Sequence, residues 1–292
     1  MRLVTVDTAD GPAGGVITAS GSIAALERWD HLSVEELLSA GPSGWDEVER
    51  EAANSPSDWG PESRLLSPIT RPPRNMFCIG VNYVDHYDEG QRQNTSLPDI
   101  PIIFTKAWTT LIGATDDIVV DRRATTMVDW EAELAVIIGL GGVNISEADA
   151  LRHVFGYCLA NDVSARDLQR AGGTFAQWHK GKSLDTFCPL GPSIVTAASA
   201  PDFETLQVQL TVNGVPKQSF RPDTMVHPIP KIIAYLSLGM ALLPGDIILT
   251  GTASGVGLWQ DPQQFLVAGD VVEVTCDGLG TLRNKVVDRV AD

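Results

Sequence analysis

Long apolar runs are missing from this 292-residue chain. No stretch approaches the ~18 consecutive apolar residues of a membrane helix, which excludes a helical membrane bundle. The opening residues Met1-Arg2-Leu3-Val4-Thr5-Val6-Asp7 lack the uninterrupted apolar core of a signal peptide, so the cytoplasm is the expected location. Cysteine is scarce: Cys78, Cys158, Cys188 and Cys276 lie far apart, without the paired spacing of a zinc site or redox motif, and read as reduced core residues. Positive charge is also in deficit. The 37 acidic against 21 basic side chains leave a net charge of -16, which repels phosphate backbones and anionic bilayers and argues against nucleic-acid or membrane partners. Repeats of about 20 to 50 residues and low-complexity tracts are absent. Gly251, Gly255 and Gly257 match neither a phosphate loop nor a dinucleotide fingerprint.

What is present is the composition of a globular protein, 43% hydrophobic and 20% charged, in a chain long enough for one or two domains. The acidity is uneven: residues 1–70 hold 12 acidic against 4 basic side chains, and the other 222 residues hold 25 against 17. Half of the excess thus sits in a quarter of the chain. A small acidic α+β module over residues 1–70 is expected, followed by a larger domain over 71–292. The proline-rich segment Pro68-Ile69-Thr70-Arg71-Pro72-Pro73 marks the linker.

Beyond that segment, short Val- and Ile-rich runs punctuated by Gly, Pro, Asn and Asp predict a β-rich α+β fold. Strands are expected at 76–81, 102–105, 131–138, 155–161, 206–212, 246–250, 271–276 and 281–287. Asn213-Gly214 predicts a type I′ turn, because both central residues tolerate positive φ. Helical spacing is clear at 229–240, where Ile232, Ile233, Leu236 and Met240 share a face, and again around 33–38.

The segment Asp129-Trp130-Glu131-Ala132-Glu133-Leu134-Ala135-Val136-Ile137-Ile138 is the most informative. Read as a strand, it puts Trp130, Ala132, Leu134, Val136 and Ile138 on one apolar face. The other face runs from Asp129, Glu131 and Glu133 to Ala135 and Ile137, which places carboxylates at the rim of a buried site. Same-face neighbours lie roughly 7 Å apart and repel each other where the dielectric is low. A divalent cation relieves that repulsion, and oxygen-only ligands favour Mg²⁺ or Mn²⁺ over zinc. A solvated strand face accounts for the same residues without a metal. Asp162, closing the run Gly156-Tyr157-Cys158-Leu159-Ala160-Asn161, is either a further ligand or a helix cap.

Five blocks, in order from about residue 75 onward, resemble the fumarylacetoacetate hydrolase family. They are Ile79-Gly80-Val81-Asn82-Tyr83-Val84-Asp85-His86, Asp129 to Leu134, Ala160-Asn161-Asp162-Val163-Ser164-Ala165-Arg166-Asp167, Lys180 to Pro192, and Pro244-Gly245-Asp246-Ile247-Ile248-Leu249-Thr250-Gly251-Thr252. The resemblance implies a mixed β-sandwich roll with a divalent metal, Mg²⁺ or Mn²⁺, in its mouth, and a homodimer. Carried over by position, Glu131, Glu133 and Asp162 resemble the metal ligands, and Lys182 the lysine beside metal and substrate. Gln169 and Thr252 match substrate contacts. His86 and Glu89 resemble a His-Glu dyad on a lid helix, and the segment 85–96 has almost no apolar anchor. Two positions depart from the family pattern, Ala253 in place of a proline and Val84 in place of a basic residue, and both bear on the substrate.

The activity this resemblance implies is metal-dependent hydrolysis of a carbon–carbon bond in an acylpyruvate-like 2,4-dioxo acid, with His86 activating water. The alternative keeps metal and enolate but omits water attack, giving a decarboxylase or keto–enol isomerase of oxo-dicarboxylic acids. A non-catalytic binding protein on the same fold is the third reading. In each catalytic case the partner is a small anionic oxo acid.

Overall fold

The Val- and Ile-rich runs form strands close to where turn residues bracket them. In the computed structural model, which describes residues 1–26, 32–55, 58–59, 63–90, 97–173, 176–203 and 205–290, they are Met76–Gly80, Ile102–Lys106, Ala132–Ile138, Val154–Asn161, Val208–Val212, Ile247–Leu249, Val271–Cys276 and Gly280–Asp288. The predicted turn is present: Asn213 and Gly214 have φ of 53° and 75° and join Val208–Val212 to Val215–Phe220. The helix predicted over 229–240 ends at Ser237, and Met240 lies beyond it, packed against the same core.

The larger sheet runs in the order Asp58–Trp59, Ile23–Ala25, Gly11–Ile17, Arg2–Thr8, Cys188–Thr196, Val154–Asn161, Ala132–Ile138, Ile247–Leu249, Met76–Gly80, Ile102–Lys106. It is mixed, since Ile247–Leu249 pairs in parallel with Met76–Gly80 while its pairing with Ala132–Ile138 is antiparallel. A second sheet orders Val215–Phe220, Val208–Val212, Val271–Cys276, Gly280–Asp288 and Ile118–Val120. Leu134, Val136 and Ile138 of the first sheet meet Val208, Leu210, Val272, Val274 and Leu282 of the second, with Ile232, Ile233 and Leu236 of the helix Ile229–Ser237 closing the core. This is a β-rich α+β fold.

All seven residues of the Ala132–Ile138 strand are buried, on both of its faces. Its second face, Ala135 and Ile137, joins another core to which the first fifty residues contribute Leu3, Val16, Val34, Leu37, Leu38 and Val48. Residues 1–70 and 71–292 are thereby continuous in one sheet, through the antiparallel register Arg2↔Val195 and Leu3↔Ile194. The helix Val34–Ser39 starts at a capping box in which Ser33 and Glu36 satisfy each other's backbone N–H groups. It settles on Gly14, where a Cβ would stand 2.9 Å from Leu37 Cδ1, while a Cβ at Gly15 would stand 2.8 Å from the ring of Trp59 in the strand Asp58–Trp59. Among the described residues no helix is long and apolar enough to cross a membrane, and all four cysteines are free and buried.

Candidate functional site

Antiparallel pairing of Ala132–Ile138 with Val154–Asn161 sets the start of one strand beside the end of the other, with Ala132 opposite Asn161. Glu133 is the second residue of its strand, Glu131 lies one residue before it, and Asp162 follows directly after its neighbour. The Asp162 N–H donates to the Glu131 carbonyl at 2.8 Å and the Glu131 N–H to Asn161 Oδ1 at 3.0 Å, so the ladder continues past the strand ends. One oxygen from each of Glu131, Glu133 and Asp162 lies within 4.8 Å of the others, and all three residues are buried. Asp162 is not a helix cap: the helix Arg166–Arg170 begins after Ala165 and has no side-chain cap.

Asp129 is not part of this group, and the acidic face expected over 129–133 divides there. Asp129 lies in a separate two-residue strand, Val128–Asp129, and its carboxylate accepts from Arg166 Nε at 2.8 Å and from the Gly257 and Leu258 N–H groups at 2.6 and 2.9 Å. That carboxylate thus fixes one wall of the site.

Three buried cations face the acidic group. Lys182, ending the helix Trp178–Lys182, donates to Glu131 at 2.5 Å and Asp162 at 2.8 Å. Arg166 Nη1 pairs with Glu131 at 2.7 Å. Lys106, the last residue of Ile102–Lys106, donates to the other Asp162 oxygen at 2.7 Å and to the Val163 carbonyl at 3.0 Å. The roles of Lys106 and Arg166 are not evident from the sequence. Lys106 is a single lysine 56 residues from its partner, and only the strand register brings the two together.

The charges do not cancel. Asp129, Glu131, Glu133 and Asp162 outnumber Lys106, Arg166 and Lys182 by one, and Glu133 bears the consequence. Burial, then Asp162 and Glu131, push its carboxyl well above the ordinary range, and its direct support is the Gly251 N–H at 2.6 Å. Burial would raise the Glu131 carboxyl as well, yet Lys182 and Arg166 hold it down at about 2. Burial opposes the charge on Lys182, but Asp162 and Glu131 raise its ammonium above the usual lysine value. At an effective dielectric of about 20, two carboxylates separated by 4.8 Å repel by about 3 kcal/mol. These three oxygen donors, one of them without a cationic partner of its own, fit a hard divalent ion.

A cavity of about 520 Å³ opens over Glu131, Arg166 and Lys182. Gln169, Thr252 and His86 line it, with Phe104, Trp178, Leu258 and Trp259 as apolar walls. Gln169 Oε1 accepts from Arg166 at 3.0 Å. Thr252 Oγ1 donates to the Ala132 carbonyl and accepts from Gln218, both at 2.8 Å. Arg166 Nη2 is buried and has no protein partner among the described residues. His86 and Glu89 share the helix Val84–Glu89 and meet at 2.8 Å through Nδ1. An ionised carboxylate only accepts, so Nδ1 carries the proton in this bond, and in the neutral imidazole Nε2 is the acceptor. That helix is held to the opposite wall, with Asp85 accepting from Ser254 at 2.7 Å and Glu89 from the Gly255 N–H at 2.8 Å. Residues 91–96 of the expected lid segment lie outside the described residues. Every sequence-predicted site residue lies in or beside this one cavity.

A family model described as fumarylacetoacetate (FAA) hydrolase C-terminal matches residues 75–287. The oxaloacetate tautomerase YisK of Bacillus subtilis (strain 168) is 44% identical over 77% of this chain and 73% of its own length. The mitochondrial oxaloacetate tautomerase fahd2 of Xenopus laevis is 42% identical over 98% of this chain and 90% of its own. Among solved structures, a fumarylacetoacetate hydrolase from psychrophilic Exiguobacterium antarcticum superposes with a TM-score of 0.86 at 36% identity, covering 99% of this chain and 100% of that one. The maleylpyruvate hydrolase of Sphingobium sp. SYK-6, solved with manganese(II) and pyruvate, gives 0.80 at 28%, again covering 99% and 100%. These likenesses correct the expected activity. The two tautomerases are more similar to this chain than either hydrolase structure, so carbon–carbon hydrolysis through a His86-activated water is withdrawn. The error has a physical root, because hydrolase and isomerase need the same metal-binding carboxylates and the same enolate-stabilising cations, and the motifs record only those.

Proposed function

The chain belongs to the fumarylacetoacetate hydrolase family, and on that premise we propose that it is a divalent-metal-dependent keto–enol tautomerase of oxaloacetate-like 2-oxo dicarboxylic acids. The observation that carries this reading is the identity of 42% with an oxaloacetate tautomerase across 98% of the chain. The contents of the cavity agree with it. Tautomerisation moves one proton between the carbon beside the oxo group and the oxo oxygen, and needs an electrophile, a base and no bound water.

Glu131, Glu133 and Asp162 would hold the divalent ion, which when bound supplies Lewis-acid polarisation of the oxo group. The free Nη2 of Arg166 offers an unspent donor to a substrate carboxylate, and Gln169 and Thr252 line the same cavity. Lys182, held charged by its carboxylate partners, keeps positive charge at the oxygens where negative charge develops. His86 Nε2, fixed by the Nδ1 bond to Glu89, accepts the carbon-bound proton and returns it to oxygen. Because the proton taken from carbon is delivered to oxygen, the base ends each turnover as it began, and the reverse sequence regenerates the keto acid.

The test follows the enol absorbance of oxaloacetate with protein loaded with Mg²⁺ or Mn²⁺, and measures carbon dioxide in the same samples. Accelerated approach to the keto–enol equilibrium without added gas release is expected. Equilibration at the uncatalysed rate with either metal, or absorbance loss matched by carbon dioxide, would sink the proposal. His86→Ala should slow equilibration by roughly 100-fold or more, the scale of a positioned base, with Mn²⁺ binding retained.

A further inference from the structure

Two-ended substrates need two anion sites, and the two buried cations that line the cavity, Lys182 and Arg166, converge on the same carboxylate, Glu131. Lys182 is committed to Glu131 and Asp162, Arg166 to Asp129 and Glu131, and His86 to Glu89. Arg170 also lines the cavity, and it has no carboxylate partner among the described residues. Its guanidinium instead lies 6.0 Å from the ring centroid of Trp259, another cavity residue. We propose that Arg170, presented on the face of Trp259, binds the substrate carboxylate distal to the reacting oxo group and so selects dicarboxylates over monocarboxylates. This inference rests on the oxo-dicarboxylate reading above.

Three features support it. First, Arg166 and Arg170 are four residues apart at the two ends of one short helix, Arg166–Arg170. That spacing puts them on one face with a rise of about 6 Å, a gap of the order that a four-carbon diacid bridges. Second, stacking on an indole holds the guanidinium plane while leaving its edge free, and that edge is the part that meets a carboxylate in two parallel hydrogen bonds. Third, the stacking surface is itself fixed. Trp259 ends the 3₁₀ turn Gly257–Trp259, whose first two N–H groups donate to Asp129, the carboxylate that also holds Arg166. The two guanidinium positions are therefore referenced to one buried acid. Arg170 is exposed where Arg166 is buried, which suits a rim residue that meets the solvent-facing end of the substrate.

The experiment compares wild type, Arg170→Gln and Arg170→Lys, each loaded with Mg²⁺. It measures kcat and KM for oxaloacetate enolisation, and the inhibition constant of pyruvate, a 2-oxo acid with no distal carboxylate. Arg170→Gln should raise the oxaloacetate KM by about tenfold or more, the scale of one lost charge-assisted pair, with kcat within about twofold. The pyruvate constant should stay within about twofold, and Arg170→Lys should recover part of the KM. An unchanged oxaloacetate KM, or equal weakening of both ligands, overturns the role of Arg170 while leaving the tautomerase reading intact. A wild-type protein that fails to enolise oxaloacetate removes that reading, and this inference falls with it.

Discussion

At the scale of single residues, the acidic site is held by an imbalance. Glu133 is pushed toward its neutral form by burial and by two neighbouring carboxylates, so a neutral isostere should be tolerated by the fold. Glu133→Gln is expected to keep the melting temperature of the metal-free protein within a few degrees. It should weaken Mn²⁺ binding by more than about 100-fold, since even outer partners of metal ligands are worth roughly 10- to 100-fold. Calorimetry showing wild-type Mn²⁺ affinity would remove Glu133 from the ligand set. Lys106 presents the opposite case. Its removal leaves a fully buried Asp162 oxygen without its cation, so Lys106→Met should cost about 3–5 kcal/mol in urea unfolding of the metal-free protein. A loss below about 1 kcal/mol would show that Asp162 does not depend on it. Glu131, Glu133 and Asp162 were legible in the sequence because acidic residues at strand ends stand out against apolar runs. Lys106 was not, because a lone lysine has the same appearance whether it is buried or solvated.

At the scale of elements, the site depends on how two five-residue helices meet. Arg166–Arg170 carries Arg166, Gln169 and Arg170, and Trp178–Lys182 carries Lys182. Gly181 is the contact: a Cβ there would lie 2.6 Å from Gln169 Cβ and 2.7 Å from its backbone N and Cα. Backbone atoms do not swing aside, so Gly181→Ala must separate the helices. Turnover should then fall by about 100-fold, the penalty for misplacing catalytic groups by about 1 Å, while circular dichroism stays native-like. Wild-type kinetics in that variant would show that the helices tolerate the shift. Strands and turns were largely readable, since Asn213-Gly214 and the alternating runs carry local signals. Within the α+β module expected over residues 1–70, the strand Gly11–Ile17 could not be placed for a local reason too. Gly11-Pro12-Ala13-Gly14-Gly15 holds no alternation of large apolar side chains, because its glycines make room for Leu37 and Trp59. Packing that requires small residues erases the pattern that announces a strand.

At the scale of the whole molecule, residues 1–70 act as a wall of the second core and not as an appendage. Without them, Cys78, Ala135, Ile137, Cys158, Leu190 and Leu249 would face water from the middle of the larger sheet. A fragment of residues 71–292 is therefore expected to aggregate or to melt without a cooperative transition, as read by size-exclusion chromatography and calorimetry. A soluble monodisperse fragment with full turnover would refute that dependence. The acidic composition that set this segment apart in the sequence describes its outer surface, while its inward face is as apolar as any strand of the roll. The pairing of Arg2–Thr8 with Cys188–Thr196 also sets a timetable for synthesis. At about 5–20 residues per second, roughly 10–40 s separate the translation of Thr8 from that of Thr196. Throughout that interval Arg2–Thr8 can pair with Gly11–Ile17 on one side only, and its other edge, which Cys188–Thr196 will cover, stays available to any other unpaired strand. Yield in the cell is thereby tied to how well ribosome-associated chaperones shield the earliest segment, and slower elongation lengthens the exposure.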